Sequence, residues 1–283
     1  MEFVERKIAF MKRQFDLLRK TMPLIHNITN YVTVNDVANI ILACGASPIM
    51  ADEVDEVKAI TAICNGLNIN IGTLNHRTIE SMMIAGNEAR RLNHVVLLDP
   101  VGAGASSLRT RTAKHILEEI EPDVVRGNIS EIKALANQSG KARGVDADVG
   151  DAVSASNLDQ SIAFLKAFSA ETGSIVVATG AIDLVCSADE AFVIYNGRAE
   201  MSRITGTGCQ LSGMMTAFVS AAPKAERLYA AAAAVCTMGA AGEIAYAHLA
   251  PYEGNATYCR RIIDAVDHMD SKTLDQEAKY ERQ

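Results

Sequence analysis

Short apolar runs alternate with longer amphipathic segments along the first two thirds of this chain. Apolar along nearly their whole length, these runs are typical of parallel strands covered on both faces. They are SPIM, LNINIG, HVVLLDP and DVVRG. Segments with helical spacing separate them, at 32–44, 53–65, 76–92 and 106–120. This alternation of strand and helix predicts a parallel sheet flanked by helices.

The remaining pattern extends this architecture in both directions. A mixed-charge helix is predicted over residues 1–20, and a long polar, glycine-rich loop over 138–157. A helix at 158–172 then leads to the strand SIVVATG and a hairpin through IDLVCSADEAFVIYNG, and the C-terminal third is helical, at 209–221, 226–247 and 255–269. The polar tail at 270–283 is expected to fray. With no long linker in between, residues 1–283 are expected to form a single domain.

Composition and charge exclude several classes of protein. Hydrophobic residues make up 49% of the chain and charged residues 22%, as in ordinary globular domains. The net charge of −7 and the scattered basic residues argue against a nucleic-acid partner. We expect no membrane span, because the most apolar stretch is too short and rich in alanine. The charged N-terminus and six cysteines without metal or disulfide spacing predict a cytoplasmic protein.

Candidate chemistry lies where the predicted strands end, because ligands of open parallel sheets bind beyond the carboxyl ends of the strands. These ends carry Met50, Gly72, Thr73, Asp99, Arg126 and Thr179, with Glu131 in the first turn of the next helix. Asp99 and Glu131 suit Mg²⁺, and Arg126 suits a phosphate. Each acid alone is better explained as a turn residue or a helix N-terminal acid. Together with Arg126, they favour a site for a phosphorylated ligand and a divalent metal.

The stretch RITGTGCQLSG presents a second candidate, at the start of an apolar helical segment. It matches neither the dinucleotide fingerprint nor the P-loop. Gly206 and Gly208 allow successive N–H groups to point into one concavity, and the helix that begins near Cys209 adds the positive end of its dipole. We therefore interpret Gly206, Thr207 and Gly208 as an anion hole for a phosphoryl group in transfer. A tight helix-packing turn is the alternative for a lone GxG.

Four stretches of the chain resemble the hydroxyethylthiazole kinase family. They are HNITNYVTVNDVANIILACGASPIMADEVDEV, DPVGAGAS, RGNISEI and GTGCQLSG, and the resemblance runs from about His26 to the C-terminal helices. It implies a ribokinase-like three-layer α/β/α fold with a mainly parallel central sheet. It also implies transfer of the ATP γ-phosphate to the primary alcohol of 4-methyl-5-(2-hydroxyethyl)thiazole, a step of thiamine biosynthesis or salvage.

The resemblance also implies roles for individual residues. Arg126 and Thr179 resemble ATP contacts, and Asp99 and Glu131 resemble the acids that organise Mg²⁺, partly through water. The substrate contacts implied in this way are Asn30, Met50 and Gly206. The family is similar in being trimeric, with its thiazole pocket between subunits, so that Gly72 and Thr73 are expected to reach a neighbouring subunit's pocket.

Cys209 stands where related ribokinase-fold enzymes carry an aspartate as general base. A helix N-terminus lowers a thiol pKa, whereas bound Mg·ATP opposes ionisation. We therefore predict that Cys209 lies at the acceptor hydroxyl as a weak base, with alignment and the anion hole supplying much of the catalysis. An inert packing role for Cys209 stays open. So do three other functions: a pyrimidine or sugar kinase, a nucleotide-dependent dehydratase, and a non-catalytic nucleotide or small-molecule binder.

Overall fold

The computed structural model of the protein describes residues 2–136 and 152–283, with side chains from residue 10 onward. Most of the segment 138–157, predicted to be a long loop, lies outside these residues. The described strands are β1 (Leu24–Ile28), β2 (Ser47–Met50), β3 (Gly66–Asn70), β4 (Val95–Asp99), β5 (Val124–Asn128), β6 (Ile175–Thr179), β7 (Asp183–Cys186), β8 (Ala191–Ile194) and β9 (Tyr280–Arg282). Together they form one sheet, in the order β2-β1-β3-β4-β5-β6-β7-β8-β9.

The described helices cover both faces of this sheet. They are α1 (Glu2–Thr21), α2 (Val34–Ala43), α3 (Val57–Ile63), α4 (His76–Arg91), α5 (Ser107–Ile120), α6 (Ile129–Ala136), α7 (Leu158–Thr172), α8 (Thr207–Ala221), α9 (Arg227–Ala247), α10 (Asn255–His268) and α11 (Ser271–Glu277). Strands β1 to β6 run parallel, and β7, β8 and β9 are antiparallel to their neighbours. The predicted mainly parallel sheet and the predicted hairpin are therefore confirmed.

Alternating side chains of the strands divide the core between the two faces. On β4, Val95 and Leu97 pack with α1, α2 and the C-terminal helices, whereas Val96 and Leu98 pack with α4 to α7. Both faces are buried, which explains why the strands read as continuous apolar runs. This division gives the predicted three layers, with the helical C-terminal third on one face.

Strand β1 was missed by the sequence analysis because its middle is polar. His26 is fully buried, and its ring nitrogens lie 2.8 Å from Thr61 Oγ1 and 2.9 Å from the Ala51 carbonyl oxygen. Asn27 accepts a hydrogen bond of 3.0 Å from Asn68 on the neighbouring strand. Buried polar side chains that bond to one another leave no apolar signal in the sequence.

The tail prediction was wrong, because residues 270–283 are ordered into α11 and β9. Asp270 caps α11 by accepting a hydrogen bond from the Thr273 amide. The polar strand β9 pairs with β8 through its backbone, with Ile194 opposite Tyr280. Edge strands carry polar side chains readily. The polar sequence that led to the prediction of a fraying tail therefore belongs to a strand at the edge of the sheet.

One helical stretch, Lys224–Ala247, is long and apolar enough to cross a membrane by length and composition. However, 78% of its most apolar window is buried inside the molecule. It lies within the helical layer formed by α8, α9 and α10, as the core helix of a globular domain does.

Candidate active site

The carboxyl ends of the parallel strands meet along one edge of the sheet. Asn70 at the end of β3 lies in register with Asp99 at the end of β4, and Asn128 at the end of β5 with Thr179 at the end of β6. Arg126 lies on β5 between the two pairs. The structure therefore brings together the acid, the arginine and the hydroxyl that the sequence analysis assigned to this edge.

Helix α8 begins at the same edge, directly after a left-handed glycine. Gly206 has a φ of +89°, and a Cβ built there would lie only 2.2 Å from the Thr33 side chain. A glycine is thus required here for both conformation and space. The N–H groups of Thr207, Gly208 and Cys209, in the first turn, have no acceptor inside the helix. With the helix dipole, they form an electropositive surface suited to an anion.

The Arg126 guanidinium packs directly against this turn. A Cβ on Gly208 would lie 2.5 Å from one of its terminal nitrogens. Arg126 donates hydrogen bonds to Thr179 Oγ1 at 2.5 Å and to Asp99 Oδ2 at 3.5 Å, and its Nε has no partner. The arginine is almost fully buried. The Asp99 carboxylate neutralises its charge only in part, because it lies at the limit of hydrogen-bonding distance. This arrangement leaves positive potential beside the first turn of α8.

A cavity of about 680 Å³ opens on this surface. Arg126, Thr179, Thr207 and Gly208 form one part of its lining. Most of the remaining lining, the second wall, comes from Gly180, Ala181 and Asp183, from Asn196 to Ala199 with Met201 and Ser202, and from Met238 and Gly239 of α9. The volume is in the range of small-molecule sites, and the part beside Arg126 and the first turn of α8 suits the phosphates of a nucleotide. The second wall was missed from the sequence, because its residues come from several separate stretches that carry no recognisable motif.

One acid of the cavity wall is strongly perturbed. Burial raises the pKa of Asp183 to about 7. Two effects oppose this rise: the Gly180 amide donates a hydrogen bond to Asp183 Oδ1 at 2.8 Å, and the Arg126 charge is nearby. Asp183 is also one of the residues that line the cavity. This lining residue is therefore protonated more readily than an ordinary aspartate.

Cys209 lies on the other side of the α8 turn, in a cage of amides. Its Sγ accepts hydrogen bonds from Asn30 Nδ2 at 3.2 Å and from Asn70 Nδ2 at 3.3 Å. Burial and then the Asp99 charge raise the pKa of the thiol, and the hydrogen bonds of Thr33, Asn30 and Asn70 oppose them. The thiol form is favoured at neutral pH, and the weak-base role stays a prediction.

Asp99 is fully buried and joins the two parts of the site. Its Oδ2 accepts hydrogen bonds from Ser212 Oγ at 2.7 Å and Asn70 Nδ2 at 2.8 Å, besides the contact with Arg126. Burial raises the pKa of Asp99, and neighbouring Glu131 adds to this, whereas Arg126, Ser212 and Asn70 oppose it. Its Oδ1 is buried without a partner, which is a costly arrangement for a carboxylate oxygen.

Glu131 holds two loops together at this edge. Its Oε1 accepts from the Gly102 amide and its Oε2 from the Asn128 amide, each at 2.8 Å, and its own amide donates to Asn128 Oδ1. Both carboxylate oxygens thus have backbone donors. In the part of the chain that the structure describes, no three His, Cys, Asp or Glu side chains cluster as a metal site. The metal role of Asp99 and Glu131 stays a prediction.

Two of the remaining predicted substrate contacts, Gly72 and Thr73, lie beside Asn30 and Tyr31. Gly72 packs so closely that a Cβ would lie 3.0 Å from Asn30 Cβ, and its amide donates to Asn70 Oδ1 at 2.9 Å. Thr73 Oγ1 accepts from the exposed Tyr31 amide at 3.3 Å. Met50, at the end of β2, is partly buried against the core. The roles of Met50, Gly72 and Thr73 as substrate contacts stay predictions.

Two functional candidates were missed from the sequence, Asn70 and Ser212. Asn70 alternates with Asn68 inside the otherwise apolar run LNINIG, and this period of two marks both as facing one side of the sheet. Ser212 follows Cys209 by one helical turn and so shares its face. Both signals are visible in the sequence but, being uncharged, they do not by themselves indicate chemistry.

Comparison with known proteins gives a consistent result. The model of the hydroxyethylthiazole kinase family matches residues 15–272. The chain is 55% identical over 271 residues to a hydroxyethylthiazole kinase of Clostridium acetobutylicum, covering 96% of this chain and 99% of that protein. A solved structure of a hydroxyethylthiazole kinase protein from Pyrococcus horikoshii is 33% identical, with a TM-score of 0.86, covering 97% of this chain and 99% of the other.

A more distant structure supports the fold alone. A ribokinase-like superfamily protein of Enterococcus faecalis has a TM-score of 0.64 at 13% identity, covering 93% of this chain and 95% of that one. The predicted ribokinase-like fold is therefore confirmed.

The electrostatic coupling between Asp99 and Cys209 can be tested by alkylation. Because the Asp99 charge raises the pKa of the thiol, Asp99→Asn should shift the pH profile of Cys209 alkylation to lower pH. The rate is followed with iodoacetamide and peptide mass spectrometry. Cys259 is the internal control, because its neighbouring charge is Asp36, and its profile should not move. A Cys209 profile that stays in place, or moves to higher pH, would contradict the coupling.

Proposed function

Because the chain belongs to the hydroxyethylthiazole kinase family, we propose that it transfers the γ-phosphate of ATP to the primary alcohol of 4-methyl-5-(2-hydroxyethyl)thiazole. The product is the thiazole phosphate used in thiamine biosynthesis or salvage. The observation that carries this proposal is that the predicted phosphate-binding turn and the Cys209 cage adjoin each other at the start of α8. Thr207 and Gly208 line the cavity, whereas the next residue, Cys209, is held by the side-chain amides of Asn30 and Asn70. We assign the activity to one domain spanning 1–283, since a single sheet includes strands from both ends of the chain.

The phosphate donor is held by groups that converge on the part of the cavity beside the first turn of α8. The free amides of Thr207 and Gly208 and the helix dipole attract the γ-phosphate, and Arg126 and Thr179 contact the ATP phosphates. Phosphoryl transfer requires little covalent participation by the protein, so positioned donors supply most of the stabilisation. These donors are fixed in place before any ligand binds, because α8 is buried over most of its length.

The acceptor alcohol lies beside the Cys209 sulfur in this proposal. Asn30, Met50 and Gly206 line its site, and the hydroxyl points at the phosphate across the turn. Because the pKa of Cys209 is raised, the thiol is poorly suited to remove the hydroxyl proton before transfer. Alignment of the hydroxyl with the phosphate is then the main contribution of this side of the site, and Cys209 is a weak base.

Mg²⁺ is the divalent metal that fits the residues at this edge. The unpartnered Oδ1 of Asp99 offers a buried anionic oxygen, and Glu131 lies close enough to raise the pKa of Asp99. Asp99 would hold the ion, and Glu131 would act through bound water, since backbone amides already engage both its oxygens. When bound, the ion neutralises charge on the phosphates.

A homotrimer with the thiazole site at the subunit interface is the assembly that we propose. The support in this chain is a set of exposed large apolar side chains near the predicted acceptor site, which includes Tyr31 and Val32. Tyr31 adjoins Thr73, so Gly72 and Thr73 lie at the surface that would face a neighbour. A cytoplasmic location completes the proposal, supported by six free cysteines, which are typical of a reducing compartment.

Substrate choice is tested by ADP release. The protein is incubated with Mg·ATP and, separately, with the thiazole alcohol, hydroxymethylpyrimidine or ribose. We expect ADP release with the thiazole alcohol, since Cys209 stands in the position of the aspartate of the other kinases. Release with the pyrimidine alone would make this a pyrimidine kinase. No release with any acceptor would favour a binding protein.

The anion hole is tested by Gly208→Ala. Alanine is tolerated in a helix, but its methyl group would collide with the Arg126 guanidinium and displace it. We expect the KM for ATP to rise about tenfold, the equivalent of about one charge-assisted hydrogen bond. The KM for the thiazole alcohol should stay unchanged. Gly254→Ala is the matched control, because nothing lies within 4 Å of a Cβ there. An ATP KM unaffected by Gly208→Ala would contradict the anion hole.

The assembly is tested by light scattering coupled to size exclusion. We expect a molar mass three times the chain mass of 30.3 kDa. Tyr31→Lys with Val32→Lys should reduce this mass and the activity together, because the charges would be buried at the interface. A wild-type protein of single-chain mass with full activity would rule out the shared site.

A further inference from the structure

The segment after residue 272, beyond the region that the family model matches, reaches the second wall of the cavity at Asn196. Strand β9 pairs with β8, with Ile194 opposite Tyr280. The backbone ladder continues one residue farther, where the Tyr195 amide donates to the Lys279 carbonyl at 2.8 Å. The chain then continues into the second wall of the cavity.

At Asn196 a side chain replaces the backbone in this ladder. Its Oδ1 accepts from the Lys279 amide at 2.7 Å, and its Nδ2 donates to the Glu277 carbonyl at 2.8 Å. Asn196 is buried, so both bonds are shielded from water. An unpaired amide here would be costly, and the two bonds fix the side chain between the two segments of chain.

A second connection runs through Glu243 of α9. Its Oε1 accepts from the Gly197 amide at 2.9 Å, and its Oε2 pairs with the Lys279 ammonium. Gly197 has a φ of +116°, a conformation that favours glycine. The ion pair itself is partly exposed and contributes little stability. Its geometric effect is to tie the tail, α9 and the turn at Gly197 together.

Helix α9 packs closely against the turn at Asn196 and Gly197. A Cβ on Gly239 of α9 would lie 2.7 Å from the backbone carbon of Asn196. The turn at Asn196 and Gly197 is thus pressed between α9 on one side and the tail on the other. Both residues also line the cavity.

We propose that Lys279, Glu243 and Asn196 are positioning residues for the nucleotide, and that the C-terminal tail fixes the second wall of its cavity. This inference rests on the proposed function, in which the cavity holds ATP. The bonds of Lys279 and Glu243 described above reach the turn at Asn196 and Gly197, so their loss is expected to act on ATP binding and to leave the acceptor site intact.

The test separates the backbone bond from the ion pair at one residue. Lys279→Pro removes both the amide that bonds Asn196 and the ammonium, and Ala278, at φ −68° and ψ 123°, has a conformation that precedes proline readily. Lys279→Met removes the ammonium alone. Arg282→Met is the control, since it breaks an ion pair of the same tail, to Glu190, away from the cavity.

We expect the KM for ATP to rise about tenfold in Lys279→Pro and about twofold in Lys279→Met, from the loss of one buried hydrogen bond and one exposed ion pair. Arg282→Met should match the wild type. The thiazole KM and kcat should stay constant throughout, and calorimetric titration with a non-hydrolysable ATP analogue should give the same order. Glu243→Ala, which keeps helix propensity, serves if Lys279→Pro does not fold, and it should also raise the ATP KM.

An unchanged ATP KM in an active Lys279→Pro or Glu243→Ala protein would overturn this inference and leave the proposed function standing. A parallel rise in both KM values with a lower melting temperature would also overturn it, because that is the signature of a structural role. A wild-type protein that binds no ATP analogue would overturn both proposals.

Discussion

The buried carboxylate of Asp99 is the interaction on which the rest of the site depends. Full burial of a carboxylate is costly, and Asn70, Ser212 and Arg126 offset this cost on a single oxygen. The same three contacts link β3, β5 and α8 around β4. Asn70 also donates to Cys209, so the position of the sulfur and the position of the guanidinium both depend on one carboxylate. Buried networks of this kind act as a unit, and removing one member affects all of them.

Helix α8 converts this local network into a property of the whole fold. Its residues from Cys209 to Val219 are buried, and it packs against β3, β4, α2 and α9. The first turn therefore cannot move without disturbing the core on that face. A phosphate site on such an element is preorganised, and its donors lose little freedom when the ligand binds.

Much of this architecture could be predicted from the sequence, for a physical reason. Strands buried on both faces are apolar along most of their length, so β3 to β6 stood out, and their ends located Asp99, Arg126 and Thr179. The edge strand β2 is only partly buried and stood out by its apolar residues alone. Strand β1 could not be found in this way, because His26 and Asn27 satisfy their polar atoms inside the core. Strand β9 could not be found either, because a strand at a sheet edge needs only backbone pairing. Its polar side chains therefore resemble those of an unstructured tail.

The site shows the same limits. Glycines and charges restrict where a residue can be placed, so the sequence brings Gly206, Gly208 and Arg126 together as a predicted phosphate site, and the structure places Arg126 against Gly208. Asn70 and Ser212 could not be assigned in this way, because neutral polar side chains occur at many buried positions and only three-dimensional contacts distinguish them. The same holds for Asn196, whose partners Glu277 and Lys279 are far away along the chain.

The steric fit of the glycines has a consequence for how this chain can change over evolutionary time. Gly206 occupies space shared with Thr33, Gly208 space shared with Arg126, and Gly239 space shared with Asn196. None of these positions can gain a side chain unless its neighbour shrinks or withdraws first. A substitution at Gly208 should therefore arise together with a change at Arg126, whereas Gly206, with its φ of +89°, and Gly239, whose Cβ would meet the Asn196 backbone, should stay glycine whatever side chain their neighbours carry.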